Sequence, residues 1–196
     1  MAYKVFIDGK EGTTGLKIFE RFENRNDIEI LSISEELRKD KKERQRLINE
    51  SDFTFLCLPD AAAIESASLC TNPNTKIIDA STAHRTNPDW AYGFPELDKS
   101  FREKIQKSNR VATPGCYASG FIALGYPLVQ KGIMGKDYPV TIHAVSGYSG
   151  AGKKAIAQYG DPNRDIGLDT PRQYALTQEH KHLKEMKIIT GLDFEP

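Results

Sequence analysis

The chain has 196 residues, and 27 Lys and Arg balance 27 Asp and Glu, giving a formal net charge of zero. That balance excludes the clustered basic excess of a nucleic-acid binder, and a 39% hydrophobic share excludes a disordered chain. No window approaches the ~18 consecutive apolar residues of a membrane span, so no membrane partner is expected.

In chain order, residues 4–8 form a short Val/Phe/Ile-rich run that is stopped by glycine and reads as a strand. Residues 16–22 carry apolar side chains at 16, 18, 19 and 22, near helical spacing. A second strand is predicted at 28–33 and a charged helix at 35–49. The unbroken apolar run at 53–58 suits a strand buried on both faces. A helix follows at 61–69, then strands at 76–80 and 110–113 with a charged helix at 96–107 between them. Strand and helix alternating in this way predict a parallel sheet with crossover helices, an α/β Rossmann-like fold.

The pattern changes near residue 114. A helix is predicted at 116–129, a β-branched strand at 139–145, polar glycine-containing sequence to 171, and a strand start at 187–190. Two domains are therefore expected: 1–114, binding nucleotide, and 115–196, an α+β substrate domain. A unit of about 80 residues that ends beside a strand reads as a domain cut short.

Gly9, Gly12 and Gly15 lie between the first strand and first helix, where a phosphate-binding turn belongs. Thr13 and Thr14 add hydroxyls. The spacing is G-x-x-G-x-x-G, not G-x-G-x-x-G, and a turn that needs glycine for steric reasons alone competes with this reading. After the second strand, Ser34, Arg38 and Lys39 offer groups for the 2′-phosphate of NADP; a solvated charged helix start is the competing reading.

Cys57, Cys70 and Cys116 give neither a disulfide framework nor a metal pair, which suits a reducing, cytoplasmic setting. Cys57 and Cys70 read as small buried hydrophobes. Cys116 follows Thr-Pro-Gly and opens a helix, where the positive dipole end favours thiolate and nucleophilic attack. His143, inside its predicted strand, reads as structural. His182 and Glu185 become neighbours if their stretch is helical; a third metal ligand is missing, so no metal is expected. Arg85, beyond the end of the strand at 76–80, offers a fork to an anion, with an ordinary exposed arginine as the competing reading, and the glycine-rich segment 146–153 reads as a loop that a ligand can approach or as a merely flexible one.

Gly9–Gly15, Asp-Ala-Ser-Thr-Ala-His-Arg at 79–85, Pro-Gly-Cys-Tyr-Ala-Ser at 114–119, Ser-Gly-Tyr-Ser-Gly-Ala-Gly-Lys at 146–153 and His-Lys-His-Leu-Lys-Glu-Met at 180–186 occur together. In that order they resemble the shorter form of the N-acetyl-gamma-glutamyl-phosphate reductases. The resemblance implies NADP-dependent reduction of an acyl phosphate to a semialdehyde, the third step of arginine synthesis. It implies that Cys116 is the nucleophile and His180 the base, with Tyr174, His182 and Glu185 around the substrate. Arg85 falls to the substrate phosphate by analogy with aspartate-semialdehyde dehydrogenases. A homo-oligomer is also implied. Members of the family continue beyond this point, so the resemblance implies a C-terminally truncated chain. An aspartate-semialdehyde dehydrogenase-like enzyme and a non-catalytic nucleotide-binding fragment are the alternatives.

Overall fold

The computed structural model describes residues 2–196. Six parallel strands form one sheet in the order β2-β1-β3-β4-β6-β5. They are β1 (Tyr3–Asp8), β2 (Ile28–Leu31), β3 (Phe53–Leu56), β4 (Lys76–Asp79), β5 (Ala91–Tyr92) and β6 (Arg110–Ala112). Helices α1 (Thr13–Phe22), α2 (Lys41–Glu50), α3 (Asp60–Ser68) and α4 (Lys99–Lys107) connect them, and α5 (Cys116–Gln130), α6 (Lys153–Gly160) and α7 (His182–Thr190) follow. The α/β Rossmann-like expectation is met. Because the strands are parallel, the turns after β1, β2, β3, β4 and β6 all leave one edge of the sheet. The chain order reverses between β1 and β3, the place where such sheets open a ligand crevice.

Several local expectations are corrected. β3 alternates: Thr54 and Leu56 are fully buried, whereas Phe53 and Phe55 are half-buried. Aromatic pairs cover that second face, Tyr3 with Phe53 at 5.7 Å and Phe22 with Phe55 at 5.6 Å. The charged helix starts at Lys41, because Asp40 caps it by accepting from the Glu43 N–H at 2.8 Å. Residues 32–39 are consequently an exposed loop with turns, not a helix start. The two-residue strand β5 carries no periodic signal of its own; Gly93 lets it approach β6, where an added Cβ would lie 2.9 Å from the Ala112 carbonyl oxygen.

Two predicted strands are absent. Residues 139–145 form no strand, and Val145 is 90% exposed. A β-branched run becomes a strand only beside a partner edge, and none among the described residues lies beside it. His143 is therefore exposed rather than held in a sheet. Residues 187–190 belong to α7, whose Leu183, Met186 and Ile189 pack with Ala118 and Ile122 of α5 and with Tyr92. Their spacing of three is helical, and it overrides the local Ile188-Ile189-Thr190 run.

The core below the sheet joins Phe6, Leu47, Ile48 and Leu69 in one cluster and Leu56, Ala63, Ile77, Trp90 and Ala112 in another. At the end of β1, buried Asp8 accepts from Arg44 at 2.9 and 3.1 Å and from Ser66 at 2.5 Å. Those bonds tie α2 and α3 to the strand that carries the glycine turn.

Candidate active site

The glycine turn is shaped by close backbone approach. Gly9 has φ 90°, and a Cβ there would lie 2.4 Å from the Cys57 carbonyl oxygen. At Gly15 a Cβ would lie 2.4 Å from the Gly9 carbonyl oxygen, so α1 packs tightly on the turn. Gly12 is the N-cap and supplies no side-chain bond, which leaves the first N–H groups of α1, at Thr13, Thr14 and Gly15, without helical partners. Ser34, Arg38 and Lys39 lie on the exposed loop after β2, the strand paired with β1, with Arg38 paired to Glu35 at 3.0 Å.

The loop after β4 is rigidly made. Buried Asp79 accepts from the Ser81 N–H at 2.9 Å and hydroxyl at 2.7 Å, and meets His84 Nδ1 at 2.6 Å. The His84 ring stacks on Trp90 at 3.9 Å. Thr82 donates twice to Asp60, at 2.9 and 2.5 Å. This frame delivers Arg85, which is 8% exposed. Its Nε donates to the Thr113 carbonyl at 2.9 Å, Nη2 to Ala80 at 3.2 Å and Nη1 to Glu185 at 3.1 Å. Three of its five N–H groups are committed and two are left. Arg85 also lines a cavity of about 250 Å³ with Thr82, Thr86, Lys181, Lys184 and Glu185.

Beyond β6, Gly115 caps α5, and Cys116 is that helix's first residue, with its side chain exposed. A Cβ on Gly115 would fall 2.4 Å from His182 Nε2 and 2.5 Å from Arg85 Nη1, so a larger residue there would have to displace both side chains. Glu185 is 2% exposed. Its Oε1 accepts from the Gly115 N–H at 2.9 Å and the Tyr92 hydroxyl at 2.7 Å. The Tyr117 ring lies 6.1 Å from Tyr174, 5.7 Å from His180 and 5.8 Å from His182, and the two histidine rings are 4.5 Å apart.

These surroundings set the protonation states. Burial pushes His182 down to about 4, and its Nδ1 has no hydrogen-bond partner. Burial and then the nearby Lys181 charge lower His180. Both rings are therefore neutral near pH 7 and able to accept a proton. Burial, followed by the hydrogen bond to Tyr117 and the proximity of Tyr117 and Cys116, raises Tyr174 and keeps it a neutral phenol. Burial likewise pushes Cys57 up to about 12, leaving an inert thiol.

His182 makes stability pH-dependent. Its folded value lies below the ordinary 6.5, so between about 6.5 and about 4 the unfolded chain binds more protons. Its contribution is complete above pH 6.5 and falls, by up to about 3 kcal/mol, as pH drops toward 4. Urea midpoints should fall on acidification, and His182→Gln should flatten that fall; an unaltered slope in the variant contradicts the assignment.

Cys116, Tyr174, His180, His182, Glu185 and Arg85 are thus gathered around the start of α5. The glycine turn stands three strand positions away on the same edge, about 14 Å at ordinary strand spacing. The segment 146–153 does not join them in a loop: it forms a 3-10 turn at Tyr148–Ala151 and opens α6, with Tyr148 stacked on Tyr159 at 4.5 Å. Tyr117 and Tyr92 were not predicted. Tyr117 had a signal in following Cys116 at a helix start, and Tyr92 had none.

Family comparison agrees with this arrangement. The profile for the semialdehyde dehydrogenase NAD binding domain matches residues 4–108, more than half of the chain, and that for the semialdehyde dehydrogenase dimerisation domain matches residues 116–192. The chain belongs to the semialdehyde dehydrogenase family. Among curated relatives of this family, the N-acetyl-gamma-glutamyl-phosphate reductase of Chelativorans sp. (strain BNC1) is 49% identical over all of this chain and 63% of its own length. N-acetyl-gamma-glutamyl-phosphate reductase 2 of Pseudomonas putida is 47% identical over 98% of this chain and 61% of its own. The chain thus spans under two thirds of these relatives' lengths. Among solved semialdehyde dehydrogenases, aspartate semialdehyde dehydrogenase II of Vibrio cholerae, complexed with ASA, aligns with TM-score 0.59 at 15% identity, covering 98% of this chain and 67% of that one. The Francisella tularensis aspartate semialdehyde dehydrogenase aligns with TM-score 0.60 at 14% identity, covering 100% and 70%. At such identities these two show the fold alone. A family profile for an NAD binding domain makes a nicotinamide nucleotide the cofactor class. No helix among the described residues is long and apolar enough to cross a membrane.

Proposed function

We propose that this protein reduces N-acetyl-gamma-glutamyl phosphate to N-acetylglutamate semialdehyde with NADPH, releasing phosphate, in arginine synthesis. The observation that carries this reading is the exposed thiol of Cys116 at the first position of α5, next to Tyr117, whose ring lies against His180, His182 and Tyr174. Residues 1–114 serve as the nucleotide-binding unit and 115–196 as the substrate unit, and the protein works as a homo-oligomer. The glycine turn fits a dinucleotide pyrophosphate, since Gly9 bares its backbone and the α1 N–H groups are unspent. Ser34, Arg38 and Lys39 take the 2′-phosphate, Arg38 giving up an exposed ion pair of little worth.

In the reaction Cys116, as thiolate, attacks the acyl carbon. The carbon–oxygen bond to phosphate breaks, phosphate leaves, and the acyl group stays on Sγ as a thioester. Arg85, with its two uncommitted N–H groups, and the cavity-lining Lys181 and Lys184 receive the phosphate. When bound, the reduced nicotinamide supplies a hydride to the acyl carbon. His180 takes the thiol proton at the outset and returns it to the thiohemiacetal oxygen. Collapse then returns that proton from the oxygen to His180, breaks the carbon–sulfur bond to expel the Cys116 thiolate, and frees the aldehyde. Initial rates with N-acetyl-gamma-glutamyl phosphate and with β-aspartyl phosphate test the reading. At least about 100-fold higher kcat/KM is expected for the former, and equal values contradict it.

A further inference from the structure

Glu185 presents a problem that a substrate-binding role leaves unsolved. Glu185 borders the cavity beside Arg85, but at 2% exposure it presents almost nothing there, and a buried charge persists only when fully paired. The pairing comes from three separate places: Arg85 after β4, Tyr92 of β5 and the Gly115 N–H ahead of α5. Both oxygens are taken by protein donors.

The Gly115 bond is the informative one. Gly115 immediately precedes Cys116, and as N-cap its N–H has no carbonyl to meet inside α5. The acceptor comes instead from α7, whose own packing on α5 is made by Met186 and its neighbours. One turn of α7 holds Gly115 in two ways. Glu185 binds its N–H, and His182, three residues earlier, stands where a Cβ would be.

From this geometry we infer that Glu185 is a positioning residue: it fixes the Gly115 peptide, and with it the direction in which α5 presents the Cys116 thiol, and does not itself ligate substrate. The inference rests on the reading of Cys116 as nucleophile, but not on which acyl phosphate is reduced.

Alkylation of Cys116 by iodoacetamide, followed against pH by mass spectrometry without substrate, tests it. Glu185→Asp keeps the charge but retracts the carboxylate by about one C–C bond, roughly 1.5 Å. Its alkylation rate should change by about tenfold or more, with kcat lowered and KM little altered. Glu185→Gln keeps the reach and an oxygen for Gly115 but leaves the buried Arg85 without its counter-charge, so its melting temperature should fall while its alkylation rate recovers further toward wild type than that of Glu185→Asp. Wild-type alkylation profiles in both variants overturn the inference, as does a raised KM with kcat unchanged, the mark of a substrate ligand. A normal Glu185→Asp beside an altered Glu185→Gln also overturns it, since charge alone is then what matters. Amide hydrogen exchange of the wild-type chain supplies a measurement free of folding defects. Protection at Gly115 is expected, and an unprotected Gly115 amide overturns the inference even if Glu185→Asp fails to fold. A different true substrate would leave all the alkylation and exchange results in place, so the two readings fail separately.

Discussion

Cys116→Ser is expected to lower kcat by about 10³-fold or more while NADPH binding stays within about twofold of wild type. The side chain is exposed, so its replacement costs little packing and the melting temperature should hardly move. A hydroxyl in the same place is intrinsically a far weaker nucleophile than a thiol. Stopped-time assays and NADPH fluorescence titration read the two quantities separately. Substantial retained turnover in the serine variant contradicts covalent capture. Loss of NADPH binding would show instead that Cys116 belongs to the nucleotide site.

Gly115→Ala should be nearly as damaging for a different reason. Gly115 sits at φ −72° and ψ 149°, a conformation that any residue adopts, so no torsional penalty arises. The added methyl would meet His182 Nε2 at 2.4 Å and Arg85 Nη1 at 2.5 Å. Neither neighbour can yield cheaply. His182 is 7% exposed, and Arg85 is fixed by three bonds. Overpacking of this kind costs about 1–3 kcal/mol, and a nucleophile displaced by about 1 Å loses on the order of 100-fold in rate. Gly120→Ala in the same helix is the control. Nothing lies within 4 Å of its Cβ, so it should be neutral or stabilising by up to about 1 kcal/mol. Urea denaturation and kcat measured on both variants check the contrast; equal effects contradict it.

Much of this site was legible in the sequence because its signals are local. Thr113-Pro114-Gly115 before Cys116 marks a loop-to-helix junction, and the helix does begin at Cys116. Gly9 to Gly15 between an apolar run and a helical pattern marks the first crossover, and α1 starts within it. His182 and Glu185 share a helical turn, as their spacing of three suggested. What sequence reading lost was the long-range part. Glu185 meets Arg85 from 100 positions away and Tyr92 from 93 away, and no local pattern records either contact. The same limit explains the false strands. Residues 139–145 and 187–190 have β-branched composition, but pairing is decided by neighbours, and α7 found its neighbour in α5. Asp40 shows the reverse case: a single capping side chain settled where α2 begins, and so left Ser34, Arg38 and Lys39 on a loop after β2.

The central claim is that the acyl group passes through a covalent bond to Cys116. Intact-mass measurement of the protein after mixing with N-acetyl-gamma-glutamyl phosphate, in the absence of NADPH, tests it directly. The predicted result is a mass gain of one N-acetylglutamyl group, located at Cys116, absent in Cys116→Ser and removed by hydroxylamine. Phosphate release with no adduct on Cys116, or an adduct at another residue, would contradict the account.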